Sequence, residues 1–361
     1  MRDMITSAGG DPSGALSRNQ LETKLVNTVG GKKFMLVLDD VWDESLWDRL
    51  LRNTLSRGAA ESRVLVTSRT EWVAMRMKAV YCHQVDVLPI EDGWSLLCKK
   101  LVFGGGEGEI EHLKDIGIKI VDKCGGLPLA IKAMGAVLCT KSRRDWELVL
   151  RSTAWSVSGL PEQVNRTLYL GYLHLPSNLK QCFMNCFLLP KAKTIQMEKL
   201  VHLWLLKVLL KNKPSSVSME ETGEGYYRQL IWRSLLQPHP TYYDKNACSM
   251  HDLLRSLAGY LAQDENLLVE VQEGSSNKNN NSMKLRRLSV VGEEGHPDVL
   301  SSKEPLRTLI LFKNQSKHLN GVLNHLHFLR VLELYGSKIE ELPDSLTCLK
   351  HLRYLGLRKL V

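Results

Sequence analysis

The sequence predicts a multidomain chain: a partial α/β sheet at the N-terminal end, helical modules through the middle, and a C-terminal solenoid of leucine repeats. Three observations carry this. Short continuous apolar runs at 34–38 and 63–67 have the pattern of strands buried on both faces, as in a parallel sheet. From Leu306 onward, leucines recur in a fixed pattern every 23 residues, inside the 20–29-residue range typical of leucine-rich repeats. Between these regions, Gly274 to Ser282 is a polar, low-complexity stretch without a hydrophobic face, which reads as a linker.

Length and composition agree with several domains. A chain of 361 residues, at about 150 residues per domain, gives two to three. With 43% apolar and 24% charged residues, fibrous and disordered classes are excluded. The excess of 48 Lys and Arg over 39 Asp and Glu gives +9, which suits a polyanionic partner only where it is concentrated on one face. The longest apolar stretch, Leu200 to Leu210, is interrupted by His202 and Lys207. It falls short of the ~20 residues that span a bilayer and reads as a core helix. Met1 to Thr6 includes Asp3 and runs into Gly9-Gly10-Asp11-Pro12 with no apolar signal region, so no secretion signal is expected. Eight cysteines without a Cys-x-x-Cys pair imply free thiols in a reducing, cytoplasmic setting. Cys182 and Cys186, among Phe183, Met184 and Phe187, read as small apolar residues on a buried helical face rather than metal ligands.

Along the chain, Leu16, Leu21, Leu25 and Val29 recur at near-helical spacing before Gly30-Gly31, a helix ending in a glycine stop. The strand Phe34 to Leu38 follows and delivers Asp39 and Asp40 to its C-terminal end. Open α/β sheets bind ligands at that edge, and paired acids suit holding Mg²⁺ and orienting a water. A solvated strand end would look the same. Arg63 to Thr67 brings Ser68 and Arg69 to the same edge, where an arginine can meet a phosphate. Together these describe an α/β nucleotide site. Val85 to Leu88 is expected to be a third strand.

These residues carry a resemblance. Leu36-Val37-Leu38-Asp39-Asp40-Val41-Trp42 resembles the kinase-2 motif of plant NB-ARC disease resistance proteins, the nucleotide-binding, leucine-rich-repeat immune receptors. Ser62 to Arg69 resembles their next motif, Gly125 to Ala130 their GLPLA segment, and Met250-His251-Asp252 their MHD triplet. Trp42 after the acid pair is the choice typical of the coiled-coil class. The resemblance implies ADP and ATP as ligands, with Asp39 holding Mg²⁺, Asp40 polarising water and Arg69 sensing the γ-phosphate. Pro128 would line the adenine pocket, although a proline in a first helical turn needs no such role. His251 would reach the β-phosphate of ADP from a winged-helix module and lock the resting state. The implied protein is a cytoplasmic innate immune switch rather than an enzyme, with protein partners: a pathogen effector, a guarded host protein or other immune receptors. The alternative is an interaction partner or decoy of a full-length receptor that binds no nucleotide.

The implied modules are a partial nucleotide-binding subdomain over 1–100, a helical ARC1 subdomain over 101–175 and a winged-helix ARC2 subdomain over 176–273. The linker 274–282 and the incomplete repeats 283–361 follow. Lys207 and Val208 depart from the family, which has an acidic residue and a glycine there. A winged helix invites comparison with DNA binders, but Glu220-Glu221-Thr222-Gly223-Glu224 would repel a duplex, so no nucleic-acid partner is expected.

The repeats are Leu306-x-x-Leu309-x-Leu311, Leu329-x-x-Leu332-x-Leu334 and Leu352-x-x-Leu355-x-Leu357, with Leu285-x-x-Leu288-x-Val290 beginning 21 residues before the first of them. Arginine follows each first leucine, at Arg286, Arg307, Arg330 and Arg353, so stacking would align a basic column. Residues 283–361 hold 13 Lys and Arg against 8 Asp and Glu, so +5 of the net +9 lies there. The column is expected either to dock an acidic surface of the winged-helix region or to form a solvated edge.

Gly-x-x-x-x-Gly-Lys followed by Ser or Thr, the phosphate loop of the family, does not occur, and Gly30-Gly31-Lys32-Lys33 precedes its strand and lacks the hydroxyl residue. The expectation is that the loop, the first two sheet strands and a coiled-coil domain are missing, and that the last repeat is cut short. Weak nucleotide affinity, an unpaired edge at Val85 to Leu88 and poor solubility follow from it.

Overall fold

The computed structural model describes residues 1–14, 17–41, 47, 51–102, 110–157, 159–161, 164–190, 194–204, 218–239, 246–263, 265–270, 285–291, 306–312, 321, 323–335 and 344–358. Trp42, Lys207, Val208 and the linker 274–282 lie outside the described residues. The chain divides into two compact units, Met1–Asp86 and Val87–Val361.

In the first unit, helices α1 (Arg2–Ser7) and α2 (Arg18–Val29) precede strand β1 (Met35–Leu38). Short helix α3 (Arg52–Leu55), strand β2 (Arg63–Val66) and helix α4 (Glu71–Arg76) follow. Helix α2 starts in a capping box, in which the Ser17 and Gln20 side chains each accept the other residue's backbone N–H. It ends where Gly30 donates to the Val26 carbonyl. Strands β1 and β2 pair in parallel, with Leu38 opposite Val66. Ile5, Leu25, Val29, Leu51 and Leu55 form the core under one sheet face, where Leu36 and Leu38 pack.

Two expectations are corrected here. The strands are not buried on both faces: Met35 is 70% exposed, and Val37 and Leu65 are about half exposed, because only one side of the sheet has a covering layer among the described residues. Val85 to Leu88 is not a strand. A strand forms only where a neighbour takes its backbone groups. Here Leu88 donates its N–H to the Gly126 carbonyl.

The second unit begins with four helices, α5 (Ile90–Val102), α6 (Lys114–Lys123), α7 (Pro128–Leu138) and α8 (Arg143–Leu150). They enclose Trp94, Leu97, Ile120, Ile131, Met134 and Trp146. Helix α5 therefore belongs with this helical layer, so the division at residue 86 differs from the boundary expected at 100. Helices α9 (Arg166–Leu173) and α10 (Ser177–Asn185) lead to strand β3 (Ile195–Gln196) and helices α11 (Met197–Trp204) and α12 (Met219–Trp232). Strands β4 (Gln237–Pro238) and β5 (Ala247–Ser249) then precede helix α13 (Asp252–Ala262). The small antiparallel sheet has the order β3-β5-β4, and with its helices it makes a winged helix around Phe183, Leu200, Trp204, Leu230 and Leu257. Its acidic segment opens α12, where Glu221 forms a capping box with Ser218 and the negative charge favours the helix N-terminus.

Five parallel strands complete the unit: β6 (Asn266–Glu270), β7 (Arg287–Val291), β8 (Thr308–Phe312), β9 (Val331–Tyr335) and β10 (Tyr354–Arg358). They pair consecutively, at intervals of 21, 21, 23 and 23 residues. Leu288, Leu309, Leu332 and their neighbours two residues on fill the core on one side. Strand β6 lies before the linker, inside the span assigned above to the winged helix, so the sheet continues across that boundary. On the other face Ile310 and Phe312 pack against Leu188, Leu189 and Leu203 of the winged-helix region.

Candidate functional site

The backbone ladder of β1 and β2 runs one step beyond both strands, with Thr67 donating to the Leu38 carbonyl at 2.9 Å and Val41 donating to the Thr67 carbonyl at 2.9 Å. This sets Asp39 across from Thr67, in register with the Leu38–Val66 pair before it. The Thr67 hydroxyl donates to Asp39 Oδ1 and accepts the Asp40 N–H at 2.8 Å. Asp40 has φ 52°, the left-handed region, where Asp is among the better tolerated side chains. Arg69 Nε lies 3.5 Å from Asp40 Oδ1, and Ser68 Oγ donates to the Val41 carbonyl at 2.9 Å.

The structure thus brings Asp39, Asp40 and Arg69 together at one strand end. Thr67, which the sequence reading used only as the end of a strand, is the hinge of this network. The signal for it was available: parallel register alone puts position 67 beside position 39. Asp39 is exposed, as a ligand for a hydrated cation must be, and Mg²⁺ is commonly held by one or two carboxylates together with substrate phosphates. No cluster of three or more metal-ligating side chains occurs among the described residues. Arg69 and Asp40 hold one another, so an anion reaching the guanidinium competes with a carboxylate already in place.

Pro128 and His251 lie in the second unit, each at the start of a helix. Cys124 at the end of α6 is followed by Gly125 (φ 61°) and Gly126 (φ 65°), which turn the chain into α7 with Pro128 at the first helical position. At Gly126 a side chain is excluded twice, by the positive φ and by the Leu88 carbonyl oxygen, 2.6 Å from where a Cβ would sit. His251 is the N-cap of α13, and its Nδ1 accepts the Leu253 N–H at 3.2 Å. Leu254 and Leu257 are fully buried, and Arg255 donates to the Phe187 carbonyl at 3.2 Å and stacks on the Phe187 ring.

The residues present fit the cation-facing edge of a nucleotide site better than its phosphate cradle. The Gly30-Gly31-Lys32 N–H groups are all taken, by the carbonyls of Val26, Arg57 and Val29, and Lys33 is ion-paired with Glu61. A cradle needs such groups open to the ligand. The thiols take no part: Cys182 and Cys186 are fully buried on α10 and at its C-terminal cap, and burial pushes Cys124 and Cys248 up to about 12.

The arginine column exists as a backbone stack. Arg307, Arg330 and Arg353 each donate their N–H to the carbonyl of the preceding arginine at 2.8 Å. It does not dock an acidic surface among the described residues. Arg286 lies 4.0 Å from Glu265, while Arg307, Arg330 and Arg353 have no acid within ion-pair distance among them. Asn185 and Leu203 of the winged-helix region face the column instead.

The first unit is a parallel α/β layer with an acid–arginine cluster at its strand ends and the second contains a winged helix, and known proteins share both kinds of domain. The NB-ARC domain family matches residues 2–105, and the disease resistance protein winged helix domain matches residues 188–258. A putative disease resistance protein, RGA1, of Solanum bulbocastanum is 32% identical over 99% of this chain and 34% of its own length. A putative disease resistance RPP13-like protein 1 of Arabidopsis thaliana is 34% identical over 94% of this chain and 33% of its own. A putative inactive disease susceptibility protein, LOV1, also of Arabidopsis thaliana, is 30% identical over 94% of this chain and half its own length. Residues 2–105 and 188–258 thus match an NB-ARC and a disease resistance winged-helix family, the curated relatives are plant disease resistance proteins, and the chain spans about a third of the length of the first two of them. No helix among the described residues is long and apolar enough to cross a membrane.

Proposed function

We propose that this chain serves a plant defence protein as a nucleotide-responsive switch module, with ADP as the resting ligand and ATP as the activating one. The observation that supports it most is the Asp39–Thr67–Asp40–Arg69 network at the ends of two parallel strands, inside the stretch matched by the NB-ARC family. In this reading Asp39 holds Mg²⁺, Arg69 meets the terminal phosphate, Pro128 lines the base pocket and His251 reaches the β-phosphate. Strands β6 to β10 are the inner row of a leucine-rich-repeat solenoid that engages protein partners: an effector, a guarded host protein or another immune receptor. The chain is a cytoplasmic switch and not an enzyme.

The Gly30–Lys32 amides are already used by backbone carbonyls, so this stretch does not offer a phosphate cradle. That same observation favours a second reading, an interaction module that binds no nucleotide. Calorimetric titration of ADP into the purified chain separates them. Asparagine caps helices as histidine does here, so His251→Asn keeps α13 capped while removing the imidazole. Millimolar binding weakened by His251→Asn supports the switch. Absence of heat from folded protein at saturating ADP supports the interaction module.

A further inference from the structure

Where the winged-helix region meets the repeat strands, Arg286, Arg287, Arg307 and Arg330 line a small open cavity of about 50 Å³. Thr308, Val331, Asn185 and Leu203 complete the wall, and the Leu188–Ile310–Phe312 contact brings the two regions together. Among the described residues this positive charge is poorly compensated. Glu265 lies 3.1 Å from Arg287 and 4.0 Å from Arg286, and Asn266 takes a further Arg287 bond. Arg307 and Arg330 have no acid partner among the described residues. Arg287 is nearly fully buried, and desolvation with the like charge of Arg307 lowers its guanidinium to about 10. Asn185 is 2% exposed and its Oδ1 has no hydrogen-bond partner, although a buried amide normally finds one. Its two ends are interchangeable, so the amide can present donors to the cavity.

We propose that this cavity binds a small, multiply charged phosphate anion that bridges the winged-helix region and the first repeats. Guanidinium forks match phosphate oxygens two at a time, and a compact polyanion reaches several arginines at once, where a single carboxylate reaches one or two. Among the described residues four guanidinium groups meet one carboxylate, which calls for a ligand of two or more negative charges. The site is separate from the Asp39–Arg69 network, which lies in the other unit, and it is independent of whether that network takes nucleotide.

The test is calorimetric titration of the full chain with inorganic tripolyphosphate at fixed ionic strength. The variants are Arg307→Gln with Arg330→Gln, Arg330→Gln alone, Arg353→Gln and Arg69→Ala, each checked for folding by circular dichroism. Each lost charge-assisted contact should weaken binding about tenfold, so the double variant should lose about a hundredfold. Arg330→Gln alone keeps the test decisive should the double variant not fold. Arg353 stands outside the cavity, so its variant should not change the affinity, while Arg69→Ala reports any tripolyphosphate held at the strand-end network instead. The proposal is overturned by equal binding in Arg330→Gln and wild type, by loss of binding on Arg69→Ala, or by no binding at all. A hexaglutamate peptide that binds as tightly as tripolyphosphate would also overturn it, in favour of an acidic protein segment.

Discussion

Strands β1 and β2 of the first unit are covered on one face, by Leu25, Val29, Leu51 and Leu55, and turn Met35, Val37 and Leu65 outward. Strand β8 of the second unit is covered on both, with Leu309 and Leu311 in the repeat core and Ile310 and Phe312 against the winged-helix region. The sequences are equally apolar. Among the described residues, eight of the fourteen exposed large hydrophobic residues fall in the first 86 positions, among them Trp72, Met75, Tyr81 and Val85. Apolar runs set the strand, and a second packed layer decides whether that strand contributes its full burial energy.

The difference can be probed by substitution. Trp146 is almost wholly buried, and its indole N–H donates to the Leu138 carbonyl at 3.2 Å. Trp146→Ala should destabilise the helical layer by about 3–5 kcal/mol, read by chemical denaturation. Leu25→Ala should cost about 2–5 kcal/mol, read as faster hydrogen exchange across residues 18–38. If Leu25→Ala left that exchange unchanged, the single-faced core would not be what holds the first unit.

Thiol labelling gives a finer contrast. Cys82 and Cys348 are exposed and should react with an aromatic disulfide reagent in the native protein. Cys124 and Cys248, raised to about 12 by burial, and the enclosed Cys182 and Cys186 should react only after unfolding. The acid side of the stability profile is a smaller effect. Burial lowers the pKa of His174 below its ordinary 6.5, so the unfolded chain binds this proton more readily. The contribution of neutral His174 is present above 6.5 and is lost as pH falls through 6.5 toward the folded-state value. His174→Gln should flatten that limb in pH-dependent melting. The smallest effect is at Val37, where threonine should change stability by less than about 0.5 kcal/mol while reducing aggregation measured by light scattering.

Much of this was legible in the sequence because periodicity is local. Helix α2, strands β1 and β2 and the repeat strands after 285 follow from spacing alone. Strand β6 was not legible: Leu267 and Val269 align with Leu288 and Val290, but the first leucine of the pattern is absent and a polar stretch intervenes. Val85 to Leu88 has the composition of a strand, yet composition cannot supply the neighbour that a strand needs. At the site, the acids and Arg69 were readable from motif, whereas Thr67 emerges only from register. The arginine column was readable from the repeat period, but what faces it, Asn185 and Leu203, comes from a contact distant in sequence.

The proposal to test first is that the strand-end network contacts nucleotide through Asp39, Asp40 and Arg69. Hydrogen exchange of the intact chain over an ADP–Mg²⁺ series tests it most directly, following peptides that cover 35–41 and 63–70, with Arg69→Ala in parallel. The account predicts protection confined to the strand ends within the first unit, rising with ADP and lost in Arg69→Ala. No protection of folded protein at saturating ADP, or protection that persists in Arg69→Ala, would contradict it.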